Sequence, residues 1–417
     1  MGGYSLSRRE IVVGGTLAAS TIGRSRKVWS QVSPIRIGVL QTISGPQASV
    51  GNSHVIGARI AAKMINDSGG IDGRPVELQI RDTRANANDM LIGLRELAGN
   101  GVNLLVGDAY SSPDLAAVPV APSLDVVFVV QTAVAMEITH ELYNRNCFRA
   151  GQSSYMQFLG QAKLIADHYP DLKRWGCFAA DNAGSRSAQL YLYYGLKKFY
   201  AANGKQIEFA EPVLAKVGAT DYRDQSARLV SMKLDGMVMA DSGGEAITFI
   251  KQANAFGLFK SMGAVADMTY SPQLGPALKK DIPNNWWSAC TWVYDAFKTN
   301  PMAQTFYKLA LDETKQTFTD PFIAQCHLAV TTLAEGVRNA KSTKTDDVIK
   351  AIETMTYDTI YGPMSFRKED HQLHFNVGYV RLGPDDSESG WKIQEFVQIP
   401  WQDSIDPATP GKKFELP

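Results

Sequence analysis

Apolar residues run almost unbroken over 35–40, the pattern of a strand buried on both faces. Residues 42–52 are rich in Gly, Ser and Pro and read as a loop. Val55, Ile56, Ala58, Ile60, Ala61, Met64 and Ile65 then recur at helical spacing, and Asp67-Ser68-Gly69-Gly70 stops that helix. Residues 76–82 alternate apolar and polar, as a second strand does. Together these make a βαβ unit with a long loop at the carboxyl end of its first strand, the edge of an open α/β sheet where ligands sit. The pattern continues with helices over 89–98 and 114–123 and strands over 103–107 and 126–130. After Cys147-Phe148-Arg149 it restarts: helices over 154–168, 186–202, 222–234 and 245–256 alternate with strands over 175–180, 209–214, 236–240 and 263–266, and a strand over 285–292 follows. Such alternation predicts parallel sheets with helices on both faces, and two sheets of about five or six strands rather than a single wide one.

The stretch SGPQASVG after the first strand, the helix closing in GGIDGRPVEL, and a second strand ending in Asp82 resemble the opening of the branched-chain-amino-acid type of solute-binding protein. These are the type I periplasmic receptors of ABC transporters. The resemblance implies an α/β fold of two Rossmann-like lobes with parallel sheets, joined by a three-strand hinge that bends around a ligand. The restart at Arg149 marks the first passage between lobes, and 293–295 the second, after which helices over 302–317, 322–340 and 346–355 return to the first lobe. The third passage that the family makes is expected at Tyr361-Gly362-Pro363, with 362–366 and 379–382 as terminal strands of the second lobe. The expected division is 34–148 plus 295–361 for lobe 1, 149–294 plus 362–401 for lobe 2, and 402–417 as a C-terminal tail.

The leader changes the picture of location. Ser7-Arg8-Arg9-Glu10-Ile11-Val12 precedes an apolar stretch over 11–22, so 1–33 resembles a twin-arginine export signal with a disordered leader; a disordered basic tail is the alternative. That stretch is too short to span a bilayer, and Ser20 stands where a lipoprotein would need Cys. A soluble periplasmic protein, acting as a monomer, is expected. Lys+Arg and Asp+Glu both number 42, so no net field draws nucleic acid or an anionic membrane, and contact with the membrane is expected only through a permease. The four cysteines, Cys147, Cys177, Cys290 and Cys326, lie far apart; buried free thiols are expected, with disulfides as the alternative.

No dinucleotide, P-loop, zinc-protease or nucleophile-elbow motif is present, so no cofactor and no catalytic residue is expected. His371 and His374 stand three apart in a charged turn, read as solvated rather than as a zinc pair. Ser111 and Ser112 fall between a strand and a helix, where hydroxyls and free amides can hold a carboxylate; Ser112 as a plain N-cap is the alternative. The resemblance implies that this loop and the one carrying Thr132 and Ala133 grip a ligand carboxylate. It also places an aromatic at Tyr155 against the ligand, although a core position fits that residue equally. Asp181 and Ser242 end strands at the same edge of the second lobe, and Asp267 either pairs with a ligand ammonium or caps a helix starting near Ser271. The expectation is a receptor for a small carboxylate-bearing solute, amino acid or aromatic and other organic acid, presented to an ABC permease. An amide or urea receptor, a sensor on the same fold, and an enzyme on a two-lobed scaffold are the alternatives.

Overall fold

The computed structural model describes residues 33–45, 48–268, 274–316 and 319–417. The export signal and leader expected at the N-terminus therefore lie, up to Val32, outside the described residues. The first lobe is built on strands β1 (Ile35–Gln41), β2 (Val76–Asp82), β3 (Leu104–Val106), β4 (Val127–Val130) and β5 (Cys147–Arg149). They form one parallel sheet in the order β2-β1-β3-β4-β5. Alternate side chains of β1, β3 and β4 enter two different cores, which is why those runs are almost wholly apolar, whereas the edge strand β2 is only partly buried and alternates. Ile37, Val39, Val106 and Val129 pack with Ala58, Ala61, Leu328 and Leu333 from the helices Ala48–Asp67 and Pro321–Ala340. Leu40, Leu105, Phe128 and Val130 pack with Met90, Leu94 and Leu97 from the helix Ala87–Gly99. Each such side chain contributes about 1.5–3 kcal/mol on burial.

The second lobe carries β6 (Arg174–Ala180), β7 (Glu208–Phe209), β8 (Val213–Ala215), β9 (Gly236–Ala240), β10 (Ala264–Asp267) and β11 (Trp286–Ala289). The chain then forms the hairpin β12 (Tyr357–Thr359) and β13 (Gly362–Met364), and returns to the second sheet with β14 (Val377–Pro384) and β15 (Trp391–Ile399). The sheet order is β15-β14-β11-β10-β9-β6-β7, with β8 also on β6; β14 and β15 are antiparallel and the rest parallel. Helices Ser154–His168 and Ala183–Ala202 cover one face, and Arg223–Ser231 and Gly243–Ala255 the other.

Four expectations need correcting. The strand expected over 209–214 is two, because Pro212, lacking an N–H, separates β7 from β8. The terminal strand expected in the second lobe at 362–366 instead pairs locally as β13 with β12. From there the chain runs beside β5, where Arg149 N donates to His371 O at 3.0 Å and Leu373 N to Arg149 O at 3.0 Å, and it rejoins the second sheet only at Val377. The solvated turn expected at His371 is buried: its ring stacks on Phe148 at 4.0 Å and Nδ1 lies 3.0 Å from Cys147 O. Finally, the helix expected over 114–123 is a seven-residue helix, Ser111–Ala117, and its cap position is Tyr110, not Ser112. All four cysteines are free and buried.

Candidate functional site

The parallel register brings the ends of β1, β3 and β4 to one edge, where Gln41, Thr42, Gly107, Asp108, Gln131 and Thr132 meet. Behind that edge stands His54, on the helix face that also carries Gly51, Ala58 and Ala61. Gln41 donates through Nε2 to Gly107 O, which turns its Oε1 toward His54 Nδ1 at 2.9 Å. His54 therefore carries its proton on Nδ1, and Nε2 is left to accept from Thr132 Oγ1 at 3.0 Å. Thr132 Oγ1 also lies 3.2 Å from Gln325 Oε1, and Gln131 Nε2 donates to Gly107 O at 3.0 Å. Burial pushes His54 down to about 3, so the ring is neutral at ordinary pH.

Two carboxyls shape the next loop. Asp108 accepts from Thr42 Oγ1 at 3.0 Å, from Thr83 Oγ1 and from Tyr110 N at 2.9 Å. Burial nonetheless holds it above its ordinary value. Asp114 accepts from Asp108 N at 2.8 Å, and burial, with the Asp108 carboxylate beside it, raises its carboxyl well above the ordinary value. This close approach needs Gly107, because a Cβ there would fall 2.6 Å from Asp114 Oδ1. The loop so fixed presents Ser111, half-buried, and Ser112, exposed, in the first turn of their helix, where amides lack intrahelical partners. Ala133 is buried in the core of the first lobe.

The second lobe's edge is different in character. Asp181 is exposed and paired with Arg186, while Asn182 caps the following helix through Ser185 N at 2.9 Å. Ser242 is exposed at a helix start with no side-chain cap bond. Asp267 is fully buried, accepting from Trp286 Nε1 at 3.0 Å and from Ser288 Oγ. Its neighbour Asp241 has one buried oxygen without a partner among the described residues, and burial raises it to about 6. Tyr155 takes the core alternative, packed among Tyr191, Tyr194 and Phe414. The helix start expected near Ser271 lies outside the described residues. Among the described residues no group of three or more His, Cys, Asp or Glu could hold a metal ion, and no helix is long and apolar enough to cross a membrane.

Reading the sequence alone missed His54, Gln131 and Gln325. His54 was findable, since it falls on the inward stripe of its helix and a buried polar side chain needs partners. Gln131 directly precedes Thr132, whereas Gln325 is far from it in sequence and gave no local signal. Because His54 and His327 both titrate near 3 when folded and near 6.5 when unfolded, their contribution is whole above about pH 6.5 and falls as pH drops toward 3. Unfolding free energies from urea titrations at pH 7 and pH 5 should thus differ less in a His327→Gln variant than in the parent, by about 2 kcal/mol. An equal pH response in the two proteins would contradict this assignment.

Two lobes of doubly wound sheet, with hydroxyls and buried carboxyls at their strand ends, give the two-lobed α/β architecture of a binding protein. The chain belongs to the periplasmic binding protein family, whose model matches residues 34–387. It is 24% identical over 351 residues to the leucine-, isoleucine-, valine-, threonine- and alanine-binding protein of Pseudomonas aeruginosa, covering 82% of this chain and 88% of that one. Its fold is similar to that of an ABC-type branched-chain amino acid transporter from Rhodopseudomonas palustris, with a TM-score of 0.77, 21% identity, and coverage of 90% and 99%. It is also similar to a solute-binding protein of an ABC transporter from R. palustris in complex with benzoate, with a TM-score of 0.70, 18% identity, and coverage of 92% and 100%. Binding proteins of this kind take up small molecules, work with a permease and act in the periplasm.

Proposed function

We propose that this chain is the receptor of an ABC importer for a small carboxylic acid, exported through the paired arginines of its leader and acting as a monomer. On this reading the chain passes between the lobes after Arg149, near 293–295 and, because β13 pairs with β12 and Gln372 still runs beside β5, just before Val377 instead of at 361–363, and the two strand edges close on the ligand. Ser111 and Ser112, with their amides, hold the carboxylate; Thr132, whose hydroxyl is already given to His54, and Ala133 lend backbone amides, and Asp181 and Ser242 line the opposite edge. The observation that carries the reading is the pair of serine hydroxyls, which make no hydrogen bond among the described residues, at the end of a strand.

The state of Asp267 bears on the ligand class. Its carboxylate already has Trp286 and Ser288 as donors within its own lobe, so it supports an aromatic or other organic acid over an amino acid whose ammonium needs a partner. A thermal-shift screen of benzoates, branched-chain amino acids and short amides tests this. A tight binder at a thousandfold excess over Kd stabilises the fold by about 4 kcal/mol. Ser111→Ala combined with Ser112→Ala should weaken that binding about 10- to 100-fold, the loss of one or two hydrogen bonds to a charged group. Unchanged affinity in the double variant would remove the anchor assignment, and consumption of the hit on incubation would remove the receptor reading.

A further inference from the structure

The last residues of the chain, set apart by sequence as a tail, are built into the junction of the two lobes. Asp406 is fully buried. It accepts from His140 Nε2 at 2.8 Å and from Ser153 Oγ at 2.7 Å, and its backbone oxygen accepts from Arg367 Nη1 at 2.7 Å. Farther along, Thr409 Oγ1 lies 2.6 Å from His140 Nδ1, and Gly411 N donates to His140 O at 2.7 Å. The ring of Phe414 then meets His140 at 4.9 Å, Tyr155 at 5.3 Å and Tyr191 at 6.3 Å, and Leu416 joins the same apolar cluster.

These partners belong to different bodies. His140 lies in the connection between β4 and β5 of the first sheet, whereas Tyr155 and Tyr191 stand on the two helices that cover the second. Ser153 is the last residue of the connection between them and caps the helix Ser154–His168. Arg367 lies on the return path toward β14 and also pairs with Asp370. Asp406 is moreover a countercharge for the buried Arg149, the last residue of β5.

We propose that residues 405–416 form a strap across the first connection between the lobes, whose hold on His140 at one end and on Tyr155 and Tyr191 at the other sets their resting angle. A rotation about that connection moves His140 relative to Tyr191. It must therefore loosen the His140 bonds, strip Phe414 from its rings, or drag the strap with one lobe. Every contact that holds the segment is non-covalent, so release needs only those bonds and ring contacts to part, and the strap biases the equilibrium between lobe arrangements without touching the ligand edge. The inference rests on the hinged closure proposed above.

The test uses spin labels on Ile92→Cys and Leu190→Cys, positions 62% and 55% exposed on helices of the first and second lobe, in a chain whose own four thiols are all buried. The distance distribution between labels is measured on the full chain without ligand, on a Phe414→Ala variant, and on a chain ending at Ser404. Phe414→Ala should widen the distribution about twofold and the shortened chain should widen it further, since removing a bias exposes more of the ensemble. If both variants keep native circular dichroism and give the parent distribution, the strap does not set the angle. Should the shortened chain fail to fold, the Phe414→Ala comparison decides alone. Adding benzoate or leucine to the parent tests closure separately: no change with either counts against the receptor reading, while the ligand-free comparison still judges the strap.

Discussion

Replacing Arg149 with leucine is expected to lower the free energy of unfolding by about 3–5 kcal/mol, the cost of breaking a buried ionic cluster from one side. The guanidinium ends the last strand of the first sheet and is 1% exposed. Its Nε donates to Gln372 Oε1 at 2.6 Å, Nη1 to Ala135 O at 2.6 Å, and Nη2 to Thr139 Oγ1. Burial lowers its pKa, and the nearby Asp406 and Asp370 oppose that shift. Leucine would leave three acceptors without donors and take from Asp406 one of its countercharges, while Asp370 keeps Arg367. Asp406 would feel it most: burial pushes its carboxyl up, and it sits below its ordinary value only because His140, Arg149 and Ser153 outweigh that push. Arg149→Lys keeps the charge and loses the fork, so it should recover only part of the loss. The check is a fall in urea midpoint at constant slope. An Arg149→Leu variant within 1 kcal/mol of the parent, about the size of an ordinary surface change, would show that the cluster does not hold the junction together.

The second large effect is expected at Gly57. A Cβ there would lie 2.0 Å from Ile323 O and 3.1 Å from His327 N, both backbone atoms of the helix Pro321–Ala340. No side chain can swing away, so the two helices must part, and Gly57→Ala should cost about 3 kcal/mol, the upper end of ordinary overpacking. The consequence reaches the ligand edge, because one helix carries His54 and the other Gln325, the two groups around Thr132. Ligand affinity should fall along with the melting temperature. Gly99→Ala is the control: nothing lies within 4 Å of its added Cβ. It sits in the last turn of a helix, where alanine is expected to be neutral or favourable by about 0.5 kcal/mol. A Gly57→Ala protein as stable as Gly99→Ala would mean that the helices pack less tightly than the structure shows.

The alternation of strands and helices was legible because the inner strands of the first sheet are buried on both faces, which writes continuous apolar runs into the chain. Residues 35–40 and 126–130 show this plainly, and the restart after Arg149 follows from it. What depends on pairing between distant segments left no such trace. The course of 371–373 beside Arg149 is set by two backbone bonds to a strand far away in sequence, so the turn holding His371 read as solvated when it is buried. At the ligand edge, Ser111 and Thr132 were reachable as hydroxyls at strand ends. The partners of Asp267 were not, since Trp286 and Ser288 meet it only through the register of β10 with β11. Tyr155 was ambiguous for a similar reason: its neighbour Phe414 is near the far end of the chain.

The antiparallel finish of the second sheet bears on how the molecule is born. β11 meets β14 through Trp286 opposite Leu382 and Ala289 opposite Tyr379. When synthesis has reached Ala340, the first sheet has all its strands and its major helices, but the second still shows a bare flank at β11 beside two tryptophans. An unpaired flank of that kind is a template for association with other chains, and pairings between such distant segments form slowly. The nascent polypeptide thus stays adhesive until the residues of β14 and β15 arrive, and a chaperone that shields β11 during that interval should raise the yield of native protein.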